Sequence, residues 1–201
     1  MVNYPVLTAM DLEGVLVPEA WIAVAEATGI EKLKLTTRDV ADYDELMKGR
    51  LRLLQENGIS LSDIQSVVEG LEPLPGAEDF LRDLREECQV IILSDTFYEF
   101  ALPLMRKLGW PTLFCNNLDI DEHNMIRDYR LRLNDGKRKA VLHMRELNFR
   151  VIAVGDSYND TAMLEEADLG ILFRPSNNVQ REFSHLPVAL DYEKLREQIE
   201  Q

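Results

Sequence analysis

The stretch Arg150-Val151-Ile152-Ala153-Val154-Gly155-Asp156-Ser157-Tyr158-Asn159-Asp160 decides the fold. Val151 to Val154 is a short apolar run bounded by a turn signal, the pattern of a buried strand rather than a helix. It ends on Gly155-Asp156, and a helical stretch from Asn159 to Ala167 follows. The same grammar recurs on either side. Val6 to Met10 ends on Asp11, Val90 to Leu93 ends on Ser94-Asp95, and Thr112 to Cys115 and Gly170 to Phe173 supply two further apolar runs. Helical periodicity separates them, from Ala77, from about Thr96 to Leu108, from Lys137 to Leu147, and at the C-terminus. Strands alternating with helices predict a parallel sheet with right-handed crossovers.

Two departures from that alternation are visible. Leu118 and Ile120, then Tyr129, Leu131 and Leu133, alternate around a polar turn at Asp121 to Asn124, which predicts a β-hairpin. Residues 17–72 contain no convincing strand. Pro18 opens a helix that Gly29 stops. Tyr43, Leu46, Met47, Leu51 and Leu54 form a second apolar stripe ending at Gly58, and Ser60 or Ser62 caps a third carrying Ile64, Val67, Val68 and Leu71. The expectation is an α/β protein: a Rossmann-like parallel sheet flanked by helices, built from 1–16 and 73–201, with a small all-helical cap inserted at 17–72 and a β-hairpin extension.

The 201 residues include 36 acidic and 22 basic side chains, a net charge of −14. That excess argues against a nucleic-acid partner, because phosphate backbones are bound by Lys and Arg, and against an anionic membrane surface. No apolar run approaches the ~20 residues of a membrane span, and no secretory leader is read at the N-terminus. The two cysteines, Cys88 and Cys115, lack metal-ligand spacing and read as reduced thiols in a cytoplasmic protein, with a disulfide between them as an alternative that nothing in the sequence requires. His123, His143 and His185 fall outside every motif and are expected at the surface.

In open α/β sheets ligands bind at the carboxyl ends of the strands. Asp11, Ser94 and Asp156 all stand there. Asp11 and Glu13, two residues apart, form a pair in which one carboxylate attacks phosphorus and the other works as acid and base. Taken alone each motif has a plainer reading: an acidic loop, a helix cap, a solvated charge. Their shared position at one sheet edge is what favours chemistry. Asp11, Asp156 and Asp160 would repel one another without a cation, and hard oxygen ligands suit Mg²⁺. Ser94 with free backbone N–H groups at a helix start forms an anion site. In the basic run Lys137-Arg138-Lys139, Lys137 has Val141 and Met144 at i+4 and i+7 and so opens the inward stripe, whereas Lys139 leads to His143 and Glu146.

Together Asp11-x-Glu13, Ser94, Lys137 and Gly155-Asp156-x-x-Asn159-Asp160 resemble the haloacid dehalogenase superfamily of phosphotransferases, in order and spacing, over nearly the whole chain. The insert is similar to the cap of its phosphoserine phosphatase branch. That resemblance implies that Glu19 and Arg50 hold the ammonium and carboxylate of an amino acid, that Ser94, Asp95, Lys137 and Asn159 hold the phosphoryl group, and that the Glu13 carbonyl joins Asp11, Asp156 and Asp160 around Mg²⁺. Two departures, Glu13 where that branch carries Asp and Ser94-Asp95-Thr96 where it carries Ser-Gly-Gly, resemble a subgroup that also transfers the phosphoryl group from O-phospho-L-serine to L-homoserine. Alternatives are a phosphatase for another small phosphomonoester, such as a nucleotide or sugar phosphate, and a receiver-like phosphorylation switch. The hairpin at 118–133 offers an edge for pairing in a homodimer.

Overall fold

Along the central strands, successive side chains enter two different apolar layers, as the two-residue repeat of a strand requires. In the computed structural model, which describes residues 4–36, 39–40 and 42–200, Met10, Ile92, Ile152, Val154, Ile171 and Phe173 face one layer. Leu7, Ala9, Ile91, Leu93, Val151, Ala153 and Leu172 face the other. The strands are β1 (Val6–Met10), β2 (Gln89–Phe97), β3 (Thr112–Ile120), β4 (Ile126–Arg130), β5 (Arg150–Gly155), β6 (Leu169–Phe173) and β7 (Val188–Ala189). They lie in the order β4-β3-β2-β1-β5-β6-β7. All pairs are parallel except β3 with β4, which form the antiparallel hairpin. Burial on both faces explains why the strands read as continuous apolar runs rather than alternating ones.

Helices α6 (Gly136–Glu146), α7 (Thr161–Glu166) and α8 (Asn177–Glu182) cover one face through Ala140, Val141, Met163, Leu164 and Val179. The opposite face carries α4 (Ala77–Glu87), α5 (Tyr98–Lys107) and α9 (Tyr192–Ile199). Three further helices, α1 (Ala20–Thr28), α2 (Tyr43–Glu56) and α3 (Leu61–Glu69), lie between β1 and α4 in the chain. They share the α4–α5 layer: Trp21, Met47, Leu54 and Ile64 belong to the same buried cluster as Phe97, Phe100 and Leu104. Ser60 is the cap of α3, in a reciprocal box with Asp63. A chain of edge-to-face rings links Trp21, Phe100, Phe97, Tyr129 and Tyr43.

The hairpin is tied to these helices. The Leu61 N–H donates to the Asn124 carbonyl (2.9 Å), the Gln55 amide to the Ile126 carbonyl (3.2 Å) and the Tyr129 hydroxyl to Asp44 (2.8 Å). The Gln55 bond occupies part of the β4 edge that was expected to be open for pairing.

Three boundaries differ from expectation. β2 continues through Ser94, Asp95 and Thr96 to Phe97, with an irregular register between Leu93 and Phe97, so Ser94 sits inside a strand end rather than at a helix start. Phe97 is buried, and its packing carries the strand past a polar triplet. The apolar run at 112–115 and the first hairpin arm are one strand, β3. After β5 a 3₁₀ turn, Tyr158–Asp160, precedes α7. Among the described residues no helix is long and apolar enough to cross a membrane.

Candidate active site

β1 and β5 are adjacent and in register from Val6 with Arg150 to Met10 with Val154. The Asp11 N–H continues the ladder to the Val154 carbonyl (2.9 Å). Asp11 and Asp156 therefore leave the sheet at the same edge. Asp160, fully buried, is turned back toward them: its Oδ2 accepts from the N–H groups of Asp156 (3.0 Å) and Ser157 (3.2 Å). One carboxylate oxygen from each of Asp11, Asp156 and Asp160 lies within 4.8 Å of the others. Lys137, buried at the start of α6, donates to Asp11 (2.9 Å) and Asp160 (2.8 Å) and lies 3.3 Å from Asp95. This lysine, not Lys139, reaches the strand ends.

Two glycines make room for the cluster. A Cβ on Gly14 would stand 2.6 Å from the Asp156 carboxyl carbon, and Gly14 also has a φ of +78° that side chains disfavour. A Cβ on Gly155 would stand 2.3 Å from the Asp160 Cβ.

The cluster is charged beyond what Lys137 balances. Burial first, then Asp160, push the Asp11 carboxyl well above its usual range. Burial, Asp160 and Glu19 push Asp156 up to about 7. Burial alone would lower the Lys137 ammonium, but Asp11, Asp160 and Asp95 outweigh it and raise it, so the lysine stays charged. Three hard oxygen donors with a buried negative excess and no His or Cys among them fit a small divalent cation.

Glu13 follows Asp11 by two residues and accepts from the Ala20 N–H at the start of α1 (2.8 Å). Burial first, then Glu19, push its carboxyl up to about 7, within reach of both protonation states at neutral pH. Above it lies a cavity of about 260 Å³ whose lining includes Asp11, Glu13, Glu19, Arg50, Ser94, Asp95, Lys137 and Asn159. Asp156 and Asp160 do not line it. Arg50 is only 8% exposed. It lies 4.6 Å over the Trp21 ring and donates through Nη2 to the Leu35 carbonyl (2.6 Å). Among the described residues its Nε has no hydrogen-bond partner, and burial lowers its pKa to about 10. A buried charged donor without a partner is costly unless a ligand completes it.

Around Asp95 lies a small network. The Asn159 amide donates to Asp95 (3.0 Å), and the Thr96 N–H donates to the Ser94 hydroxyl (3.2 Å). The Tyr43 hydroxyl donates to the Asp95 carbonyl (3.2 Å). Since Ser94 lies in β2, the expected helix-start anion site is not what holds it there; the irregular strand end is.

A family model described as haloacid dehalogenase-like hydrolase matches residues 7–168. The chain belongs to that family.

Among curated haloacid dehalogenase-like relatives, phosphoserine phosphatase ThrH of Pseudomonas aeruginosa is 57% identical over 190 residues, covering 94% of this chain and 93% of the relative. A phosphoserine phosphatase of Pseudomonas syringae pv. tomato is 56% identical over 192 residues, covering 96% and 81%. A solved structure of a phospho-aspartyl intermediate analogue of phosphoserine phosphatase superposes with a TM-score of 0.79 at 19% identity, over 98% of this chain and 99% of that one. At that identity the likeness establishes the fold.

In this family member, sequence reasoning missed Tyr43, Trp21 and Gly14. Tyr43 and Arg50 are seven residues apart on α2, one helical face, so the Arg50 assignment carried the signal for Tyr43. The contact between Trp21 and Arg50 joins two helices and leaves no such trace.

Proposed function

We propose that this protein is a Mg²⁺-dependent phosphatase of O-phospho-L-serine that works through an aspartyl-phosphate on Asp11. The observation that carries the substrate is Arg50: a buried guanidinium over Trp21, its Nε without a hydrogen-bond partner among the described residues, lining the same cavity as Glu19 and Asp11. A substrate carboxylate in that cavity would meet the guanidinium, and Glu19 would face the ammonium. The names of the two Pseudomonas relatives support the same substrate.

Asp11 attacks phosphorus and Glu13, held by the Ala20 N–H, protonates the departing serine oxygen. Glu13 then takes a proton from the water that attacks the aspartyl-phosphate. Lys137, Ser94 and Asn159 hold the phosphoryl oxygens, and Asp95 holds Lys137 and Asn159 in place. Asp11, Asp156 and Asp160, with the Glu13 carbonyl, would hold Mg²⁺, which offsets the negative charge shared by the phosphoryl group and these carboxylates. Helices α1–α3 act as the cap at 17–72 that selects the amino acid and excludes water. The departures at Glu13 and Ser94-Asp95-Thr96 support homoserine as a second acceptor. Free Cys88 and Cys115 support a reducing, cytoplasmic setting. The part of the β4 edge that Gln55 leaves open is where a second copy would pair.

Phosphorus NMR of the protein with phosphoserine, Mg²⁺ and homoserine tests the reading. Inorganic phosphate is expected, with phosphohomoserine beside it. An unchanged phosphoserine signal in the presence of Mg²⁺ overturns it.

A further inference from the structure

Arg50 is held in place without an ion pair. Among the described residues no carboxylate stands at ion-pair distance from it. Its contacts are the Trp21 ring (4.6 Å to the centroid), the Leu35 carbonyl on Nη2 (2.6 Å) and the Met47 sulfur on Nη1 (3.6 Å). A protein carboxylate on the guanidinium would compete with a substrate carboxylate for the same forked donors. The face of an aromatic ring attracts the cation through its quadrupole instead. It fixes the charge and leaves no anion there to be displaced.

The ring is itself placed from two sides. Trp21 is buried, and its edge meets Phe100 of α5, with centroids 5.4 Å apart and planes at 68°. Phe100 meets Phe97, at the end of β2, in the same manner (5.6 Å, 77°). Both phenylalanines are fully enclosed, so a file of rings runs from the strand that carries Ser94 to the Arg50 guanidinium. Along the chain, Trp21 directly follows Glu19 and Ala20 at the start of α1. The Ala20 N–H holds Glu13 (2.8 Å), and Glu19 lines the same cavity as Arg50. Three successive residues thus refer Arg50, which belongs to α2, to the groups at the opposite end of an amino acid.

We propose that Trp21 is a positioning residue for substrate selection: its ring sets where the Arg50 guanidinium stands relative to Glu19 and Glu13, and thereby the preference for a phosphomonoester that carries both an ammonium and a carboxylate. The effect runs through Arg50, although Trp21 also lines the cavity. The inference rests on the phosphoserine reading above and on the role given there to Arg50.

The test is a double-mutant cycle on the Mg²⁺-loaded protein. It reads the ratio of kcat/KM for O-phosphoserine to that for O-phosphoethanolamine, which keeps the ammonium and lacks the carboxylate. Trp21→Leu removes the ring and should lower that ratio about 5–30-fold, what a desolvated cation–π contact is worth, through KM rather than kcat. Trp21→Phe keeps a smaller ring and should lower it about threefold. In an Arg50→Ala background, Trp21→Leu should move the ratio by less than twofold. A parental ratio in folded Trp21→Leu overturns the inference, as does a Phe variant no better than the Leu one. So does an undiminished effect of Trp21→Leu in the Arg50→Ala background, which would mean direct contact with the substrate. Should circular dichroism show Trp21→Leu unfolded, Trp21→Phe decides, and a parental ratio there overturns the inference. A parent that does not prefer phosphoserine, or a preference that survives Arg50→Ala, overturns the substrate reading itself and this inference with it.

Discussion

The floor and the roof of the site are built on opposite terms. On the floor the charged groups hold one another: Lys137 bridges Asp11 and Asp160, and Asp160 also takes two backbone N–H groups. In the roof Arg50 keeps Nε unpartnered among the described residues, while Trp21 and the Leu35 carbonyl hold the guanidinium still. The contrast separates two tasks. Groups that act on every substrate are fixed beforehand, so little reorganisation is left for the reaction. On the function proposed here, the group that recognises the substrate, Arg50, retains a donor for the right ligand to satisfy.

The largest break in this contrast comes at the floor. Asp11→Asn should lower kcat by at least about 10⁴-fold with an unchanged far-UV spectrum. Lys137→Ala should abolish turnover and also cost about 3–5 kcal/mol of stability, because it strands buried carboxylates; urea unfolding measures it. Mg²⁺ at 100-fold above its Kd should raise Tm by about 5–10 °C, and Asp156→Asn should erase that rise. At the roof, Arg50→Ala should raise KM for phosphoserine by about 10–100-fold, the range of a lost charged hydrogen bond. KM for an aryl phosphate should move little, and an equal shift for both would merge floor and roof. The smallest effect is expected from Tyr43→Phe, which removes one hydrogen bond to the Asp95 carbonyl and should cost threefold to tenfold in kcat/KM, about 0.5–1.5 kcal/mol.

The floor was nearly all legible in the sequence and the roof only half. Asp11 and Asp156 are legible because strand periodicity predicts where their strands end and parallel pairing brings those ends to one edge, and Lys137 because it opens the inward stripe of α6. Glu19 and Arg50 took a resemblance to find. Their setting depends on Trp21 and Leu35, which lie on other elements, and no local pattern encodes that meeting. Ser94 shows the limit of local rules: a Ser-Asp-Thr triplet reads as a helix cap, yet the buried Phe97 keeps it in β2. Strand β7, two residues long, and the short helix α8 are too brief to leave a period.

The missing side chain at Gly14 has a consequence for tracing descent. A copy of this gene could keep Asp11, Glu13, Asp156, Asp160, Lys137 and Arg50 and still fall silent through a single change to alanine at that position. Such a chain would look like an enzyme to any reader of motifs and behave as an inert scaffold. Position 14, where a Cβ would meet the Asp156 carboxyl, is thus the first place to look when deciding whether a duplicate is still working or has become a pseudoenzyme.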